Sequence, residues 1–176
     1  MHGFLRLLRP QAPLLGFGAL FCFTSSFGQT FFIAVFGGAI RAEFELGHGS
    51  FGAAYSLATL ASAITLVWLG KLVDRMDTGR LSVLVVGGLA VASLGMSFTV
   101  GIASLTLVFY GLRLFGQGMS THIAISTMAK RFAAARGRAI SIATLGIAGS
   151  EVVMPPVAVL TLELGWRWGW RAFAAV

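Results

Sequence analysis

The spacing of charges constrains this chain more than any other feature. No Asp, Glu, Lys or Arg occurs between Pro10 and Ile40, nor between Leu46 and Gly70. A bilayer core about 30 Å thick is crossed by roughly 20 apolar residues in a helix. Five segments reach that length, at about 13–39, 51–70, 81–100, 104–129 and 139–162, and a sixth begins near Ala172 and runs to Val176. Backbone groups inside lipid must be satisfied within the segment, so the spans are expected to be helices. The period-2 alternation that a membrane barrel needs is absent.

Composition agrees. Hydrophobic residues make up 57% of the 176 and charged residues 11%, against about 25% charged in soluble domains. That composition excludes a soluble enzyme, and it excludes disorder, which needs low hydrophobicity. The single Cys22 provides neither a disulfide framework nor a Cys-based metal site and reads as a small buried hydrophobe. His2, His48 and His122 form no ligand cluster. The net charge of +7 would suggest nucleic acid in a soluble protein. Here the charges fall between hydrophobic spans and not along one face, so no nucleic-acid partner is expected.

The distribution of Lys and Arg sets the expected orientation. With the N-terminus inside, segments 1–12, 71–80 and 130–138 hold nine basic residues: Arg6, Arg9, Lys71, Arg75, Arg80, Lys130, Arg131, Arg136 and Arg138. The outer segments hold three, Arg41, Arg167 and Arg171, and Arg113 lies within a span. The N-terminus is therefore expected in the cytoplasm. The first segment is too long and too rich in Ser and Thr for a cleaved signal, and is read as a retained helix. Trp166, Trp168 and Trp170 fit an aromatic belt at the outer interface. Ala54, Ala58 and Ser62 in the second span, Gly87, Gly88 and Gly95 in the third, and Gly111, Gly116 and Gly118 in the fourth would let helices approach closely in lipid.

The loop after the second span reads Gly70-Lys71-Leu72-Val73-Asp74-Arg75-Met76-Asp77-Thr78-Gly79-Arg80. Gly70, Leu72, Asp74 and Arg75 resemble the cytoplasmic signature between the second and third helices of the major facilitator superfamily. Asp77 stands where the second Gly of that signature is usual, and Arg80 falls one step late. Arg113, Gly116 and Gly118 in the fourth span resemble the family's intramembrane Arg followed by spaced glycines. Gly137 and Gly146 begin the fifth-helix pattern of its antiporters, but Ser150-Glu151 and Met154-Pro155-Pro156 depart from it. Gly165-Trp166-Arg167 precedes the sixth helix.

The resemblance implies an all-α integral membrane protein. Residues 1–176 would be one transmembrane domain of five helices plus the start of a sixth, similar to the N-terminal six-helix half of such a transporter. A C-terminal half would then be missing, and with it some partners of the loop signature, which gates the cytoplasmic side in the family. The expected location is the plasma membrane, read as a bacterial inner membrane, with the bilayer and a small solute as partners. No cofactor is expected; coupling to protons or another ion is open.

Arg113 and Glu151 are the sharpest candidates for the solute pathway. An ionisable residue at mid-bilayer costs about 2.5–3.5 kcal/mol on insertion scales, so it faces a cavity or a partner. Counting from the ends of their helices at 1.5 Å per residue puts them about 14 and 16 Å deep. They are expected to approach across the cavity wall, Arg113 binding an anionic group and Glu151 serving as counter-ion or proton acceptor. Gln29, with Ser25, Ser26 and Cys22 at helical spacing, gives the first helix a polar face toward the cavity. His122 is a candidate proton relay. Pro155 and Pro156 lack two backbone donors and are expected to kink the fifth helix as a hinge.

These readings converge on a secondary active transporter working by alternating access on a small solute, with a small organic anion the favoured class. A non-transporting truncated membrane protein or scaffold is the alternative, and a drug or metabolite efflux antiporter a second. No nucleophile–base set, phosphate loop or metal constellation points to an enzyme.

Overall fold

The computed structural model describes residues 11–175, so Arg6, Arg9 and His2 lie outside the described residues. The described chain is helical almost throughout, without strands. Its first run consists of α1 (Ala12–Thr24), a 3-10 turn at Ser25–Gly28 and α2 (Thr30–Glu43). Then come α3 (His48–Leu69), the single turn α4 (Leu72–Arg75) and α5 (Thr78–Met96). The fourth run joins α6 (Ile102–Gly111), a π-helical segment at Leu112–Ser120 and α7 (Thr121–Arg131). The short 3-10 turn Ala133–Ala135 leads into α8 (Arg136–Leu162), and α9 (Trp166–Ala174) completes the bundle.

Four runs are long and apolar enough to cross a membrane: Ala12–Glu43, His48–Arg75, Thr78–Met96 and Ala133–Leu162. The apolar part of the second ends at Leu69. The run Ile102–Arg131, which contains the expected span 104–129, is not among them. Arg113, Gln117 and His122 interrupt its apolar sequence, and Leu105, Phe109, Leu112, Met119, Ile123 and Met128 are buried inside the bundle.

Two expectations need correction. The first span is not one straight helix, because Gln29 adopts an extended backbone (φ −80°, ψ 150°) between the 3-10 turn and α2. The sixth helix starts at Trp166, six residues before the expected Ala172. Trp166 is 6% exposed and Trp170 fully buried, whereas Trp168 is 62% exposed. Only Trp168 is therefore free to stand in an interfacial belt. The other two pack into the core, which makes this short helix amphipathic.

Small residues decide how the helices meet. Ala54, Ala58 and Ser62 are the buried residues of α3, while Leu57, Leu60, Ile64, Val67 and Trp68 of the same helix are exposed. That exposed apolar face suits lipid. α1 packs most extensively on α8. There Gly146 lies directly against the backbone of Ala19, and Gly18 against Ala143, where a Cβ would come within 3.1 Å of the Ala143 methyl. α8 continues as helix through Pro155 and Pro156.

The core divides into two clusters. One is aromatic, with Phe32 and Phe36 against Trp170 and Phe173; the Phe32 and Trp170 rings meet edge-on, 5.4 Å between centroids. The other gathers Cys22, Val85, Met119, Ile123, Met128 and Ala143. It lies toward the end of the bundle that carries Asp74 and the basic residues Lys71, Lys130 and Arg136.

Candidate solute cleft and its end contacts

The break in the first run and the π-helical segment of the fourth occur at the same crossing. A Cβ on Gly116 would stand 2.7 Å from both the Cα and the N of Gly28, and one on Gly28 would collide with the Leu112 carbonyl. Two glycines are needed for the backbones to come this close. The π segment places Arg113 beside the break. Its Nη1 donates to the Gly28 carbonyl at 3.1 Å and to Thr30 Oγ1 at 3.4 Å. Thr30 Oγ1 shares a hydrogen bond of 2.7 Å with the Tyr55 hydroxyl. The guanidinium lies 5.3 Å from the Tyr55 ring centroid, close enough for cation–π attraction.

Arg113 also lines a cleft of about 390 Å³ between α3 and the fourth run. Its wall carries Thr59 and Ser62 on one side and Arg113, Gln117, Thr121 and His122 on the other. Buried polar groups are ordinarily hydrogen-bonded. Yet Thr59 Oγ1, Arg113 Nε, Gln117 Oε1 and Thr121 Oγ1 are buried and find no partner within the protein. None of the six carboxylates of the chain lines the cleft.

The structure does not bring Arg113 and Glu151 together. Glu151 is exposed on α8, and the Arg113 hydrogen bonds go to Gly28 and Thr30. Helix length gave an expected depth for each, but not their facing directions. Glu151 is about 100° around the helix from the buried Ser150. Ser25 is also off the cleft: it is fully buried and donates to the Cys22 carbonyl at 2.6 Å. Gln29 is half-buried at the break and outside the cleft lining. His122 does line it, and Gly118 sits beside it on the π segment against Leu66. Tyr55, Thr30 and Gln117 were missed by sequence reasoning. Spacing on α3 pointed only to its small residues, and the contact with Thr30 exists only because the first run breaks.

At the basic end, Asp74 pairs with Lys130 at 2.6 Å, and Lys130 Nζ also donates to the Val73 carbonyl at 3.1 Å. Asp74 lies beyond the apolar part of its run, and the hydrogen bond and charge of Lys130 hold its carboxyl below the usual range. Leu72 packs against the cluster around Met119 and Ile123. Gly70 O lies 3.2 Å from His122 Nε2. Arg75 and Arg80 are exposed. Asp77, where the loop signature usually has Gly, caps α5 by accepting the Arg80 N–H at 3.1 Å.

At the opposite end Glu43 closes α2. It accepts from Trp166 Nε1 at 2.6 Å and from Arg167 Nη2 at 2.7 Å. Arg167 further donates to the Ser97 and Thr99 carbonyls, both at 2.7 Å. One guanidinium thus joins the end of the first run, the turn after α5 and the start of α9.

No curated protein and no solved structure matches the chain. The family described as Major Facilitator Superfamily does, over residues 18–176, which covers every helix from the middle of α1 onward. A bundle with four helical runs long and apolar enough to cross a membrane agrees with that match. The chain belongs to the major facilitator superfamily, a family of membrane transporters.

Proposed function

We propose that the cleft between α3 and the fourth run is the solute path of a secondary active transporter, and that the solute is a small organic anion. The observation that carries this reading is Arg113. It is a permanent cation on the cleft wall, with one buried N–H unpartnered and no carboxylate paired to it. An anion would supply the missing charge, and Thr59, Gln117 and Thr121 offer further hydrogen bonds beside it. Alternating access needs contacts that break and re-form at the two ends, and the ion pairs Asp74–Lys130 and Glu43–Arg167, both formed in this conformation, lie at those ends. By the positive-inside rule, the end bearing Lys71, Lys130 and Arg136 faces the cytoplasm of a bacterial inner membrane.

The test is uptake of labelled lactate, succinate and citrate into proteoliposomes holding the full chain. Arg113→Ala should abolish uptake of whichever probe is carried, and Arg113→Lys should retain part of it. Circular dichroism checks that both variants keep their helix. Equal uptake by Arg113→Ala would overturn the anion reading, and no uptake of any probe by the wild type would favour a non-transporting membrane protein.

A further inference from the structure

We propose that His122 is the proton-binding residue of the cleft, and that its charge is passed through Gly70 to the loop held by Asp74 and Lys130. The proposal rests on the cleft being the working site of the protein. Histidine is the side-chain type that ordinarily exchanges a proton near neutral pH, and His122 is the histidine lining that cleft. No carboxylate lines the wall. A proton entering this cleft therefore has one place to reside.

His122 is also joined to the loop. Its Nε2 lies 3.2 Å from the Gly70 carbonyl, an acceptor only, so Nε2 carries the hydrogen and donates. The same carbonyl accepts the Val73 N–H at 3.2 Å. Val73 in turn accepts from Lys130, the partner of Asp74. The imidazole thus reaches the ion pair through a single backbone turn. Gly70 is held close to the ring, and a Cβ there would come within 3.3 Å of Nε2.

Protonation turns a neutral hydrogen bond into a charge-assisted one, roughly twice as strong. It also places a cation at the carbonyl end of α3, where the helix dipole favours it. The charged groups carried by the elements packed around α7 are Asp74 and Arg75 on α4, Asp77 and Arg80 at the start of α5, and Arg136, Arg138 and, farther along and exposed, Glu151 on α8. Lys130 and Arg131 follow on α7 itself, Arg113 precedes it on the π segment, and Lys71 follows Gly70. Asp74, paired with Lys130, is the carboxylate that the Gly70 turn carries. A protonated ring therefore draws the loop inward, and a neutral ring relaxes it.

The experiment is hydrogen–deuterium exchange of the 70–77 segment in the full chain in lipid nanodiscs, from pH 8 to pH 5.5, corrected for intrinsic exchange. Wild-type protection should rise several-fold as the pH falls. His122→Gln, which keeps a donor but cannot charge, should give a flat profile, and His122→Lys should give high protection throughout. Both variants must match the wild type in helix content. The same pH dependence in His122→Gln as in wild type overturns the proposal, as does a flat wild-type profile. Because this readout needs no solute, failure of the transport reading shows separately, as absent uptake with the exchange profile intact.

Discussion

Gly28 and Gly116 meet backbone to backbone, and that contact joins the broken first run to the π-helical segment of the fourth. A methyl on Gly116 would stand 2.7 Å from Gly28 Cα and 3.3 Å from a Leu89 methyl, so the side chain has nowhere to go without moving backbone. Overpacking of this kind costs about 1–3 kcal/mol. Gly116→Ala is expected to lower resistance to SDS unfolding in mixed micelles, followed by circular dichroism. Gly87→Ala, where nothing lies within 4 Å of the new methyl, should leave the midpoint unchanged. Equal shifts in the two variants would mean that the crossing is not tight.

The contact of Glu43 with Trp166 and Arg167 predicts a graded loss. Trp166→Phe removes one hydrogen bond to a carboxylate, worth about 1.5–3 kcal/mol when fully sheltered. The pair is partly open, with side chains 28% and 42% exposed for Arg167 and Glu43, so the lower end is expected. Arg167→Ala should cost more, because it also strips donors from the Ser97 and Thr99 carbonyls. A double-mutant cycle between Glu43→Gln and Arg167→Ala should show coupling; strict additivity would argue against the contact.

Asp74 carries a pH prediction of definite sign. Lys130 lowers its carboxyl pKa, so the stability from this contact is fully present above the ordinary Asp range. It is lost only as the pH falls through the lowered value. Carbon-13 NMR of a side-chain-labelled chain should show Asp74 titrating below the ordinary Asp range. In Lys130→Gln its midpoint should rise toward that range. With side chains 50% and 71% exposed for Lys130 and Asp74, added salt should weaken the difference. An unchanged midpoint in Lys130→Gln would show that the pair does not form.

Hydropathy made four of the five expected spans legible, and the every-fourth-residue spacing of Ala54, Ala58 and Ser62 gave the buried face of α3. Both are one-dimensional signals, set by lipid thickness and helical period. The bend at Gln29 left no such signal, because Ser25, Ser26 and Gly28 are all tolerated inside helices. The break coincides with the approach of Gly116 from another run. The start of α9 was hidden for a related reason. Arg167 and Arg171 depress its hydropathy, yet Trp166, Trp170 and Phe173 share a buried face. Arg113 was found because a lone charge in an apolar span stands out. Its neighbours Thr30 and Tyr55 were not, since Thr and Tyr are unremarkable in a membrane helix until the fold brings them together.

Those two neighbours carry the last prediction. Tyr55 does two things to the cleft: its hydroxyl bonds Thr30, and its ring lies beside the Arg113 guanidinium. Tyr55→Phe removes the first and keeps the second, whereas Tyr55→Leu removes both. A neutral hydrogen bond is worth about 1 kcal/mol net, and a cation–π contact about 0.5–2 kcal/mol according to its shelter from water. If Arg113 binds the anion, Tyr55→Phe should raise the uptake KM by roughly fivefold, about 1 kcal/mol at RT of 0.59 kcal/mol. Tyr55→Leu should raise it further, because the guanidinium is then held only by Gly28 and Thr30. Mass spectrometry after phenylglyoxal treatment provides a check that needs no substrate. Arg113 should be modified faster in Tyr55→Leu than in Tyr55→Phe. Equal rates would mean that the ring does not hold the guanidinium in place.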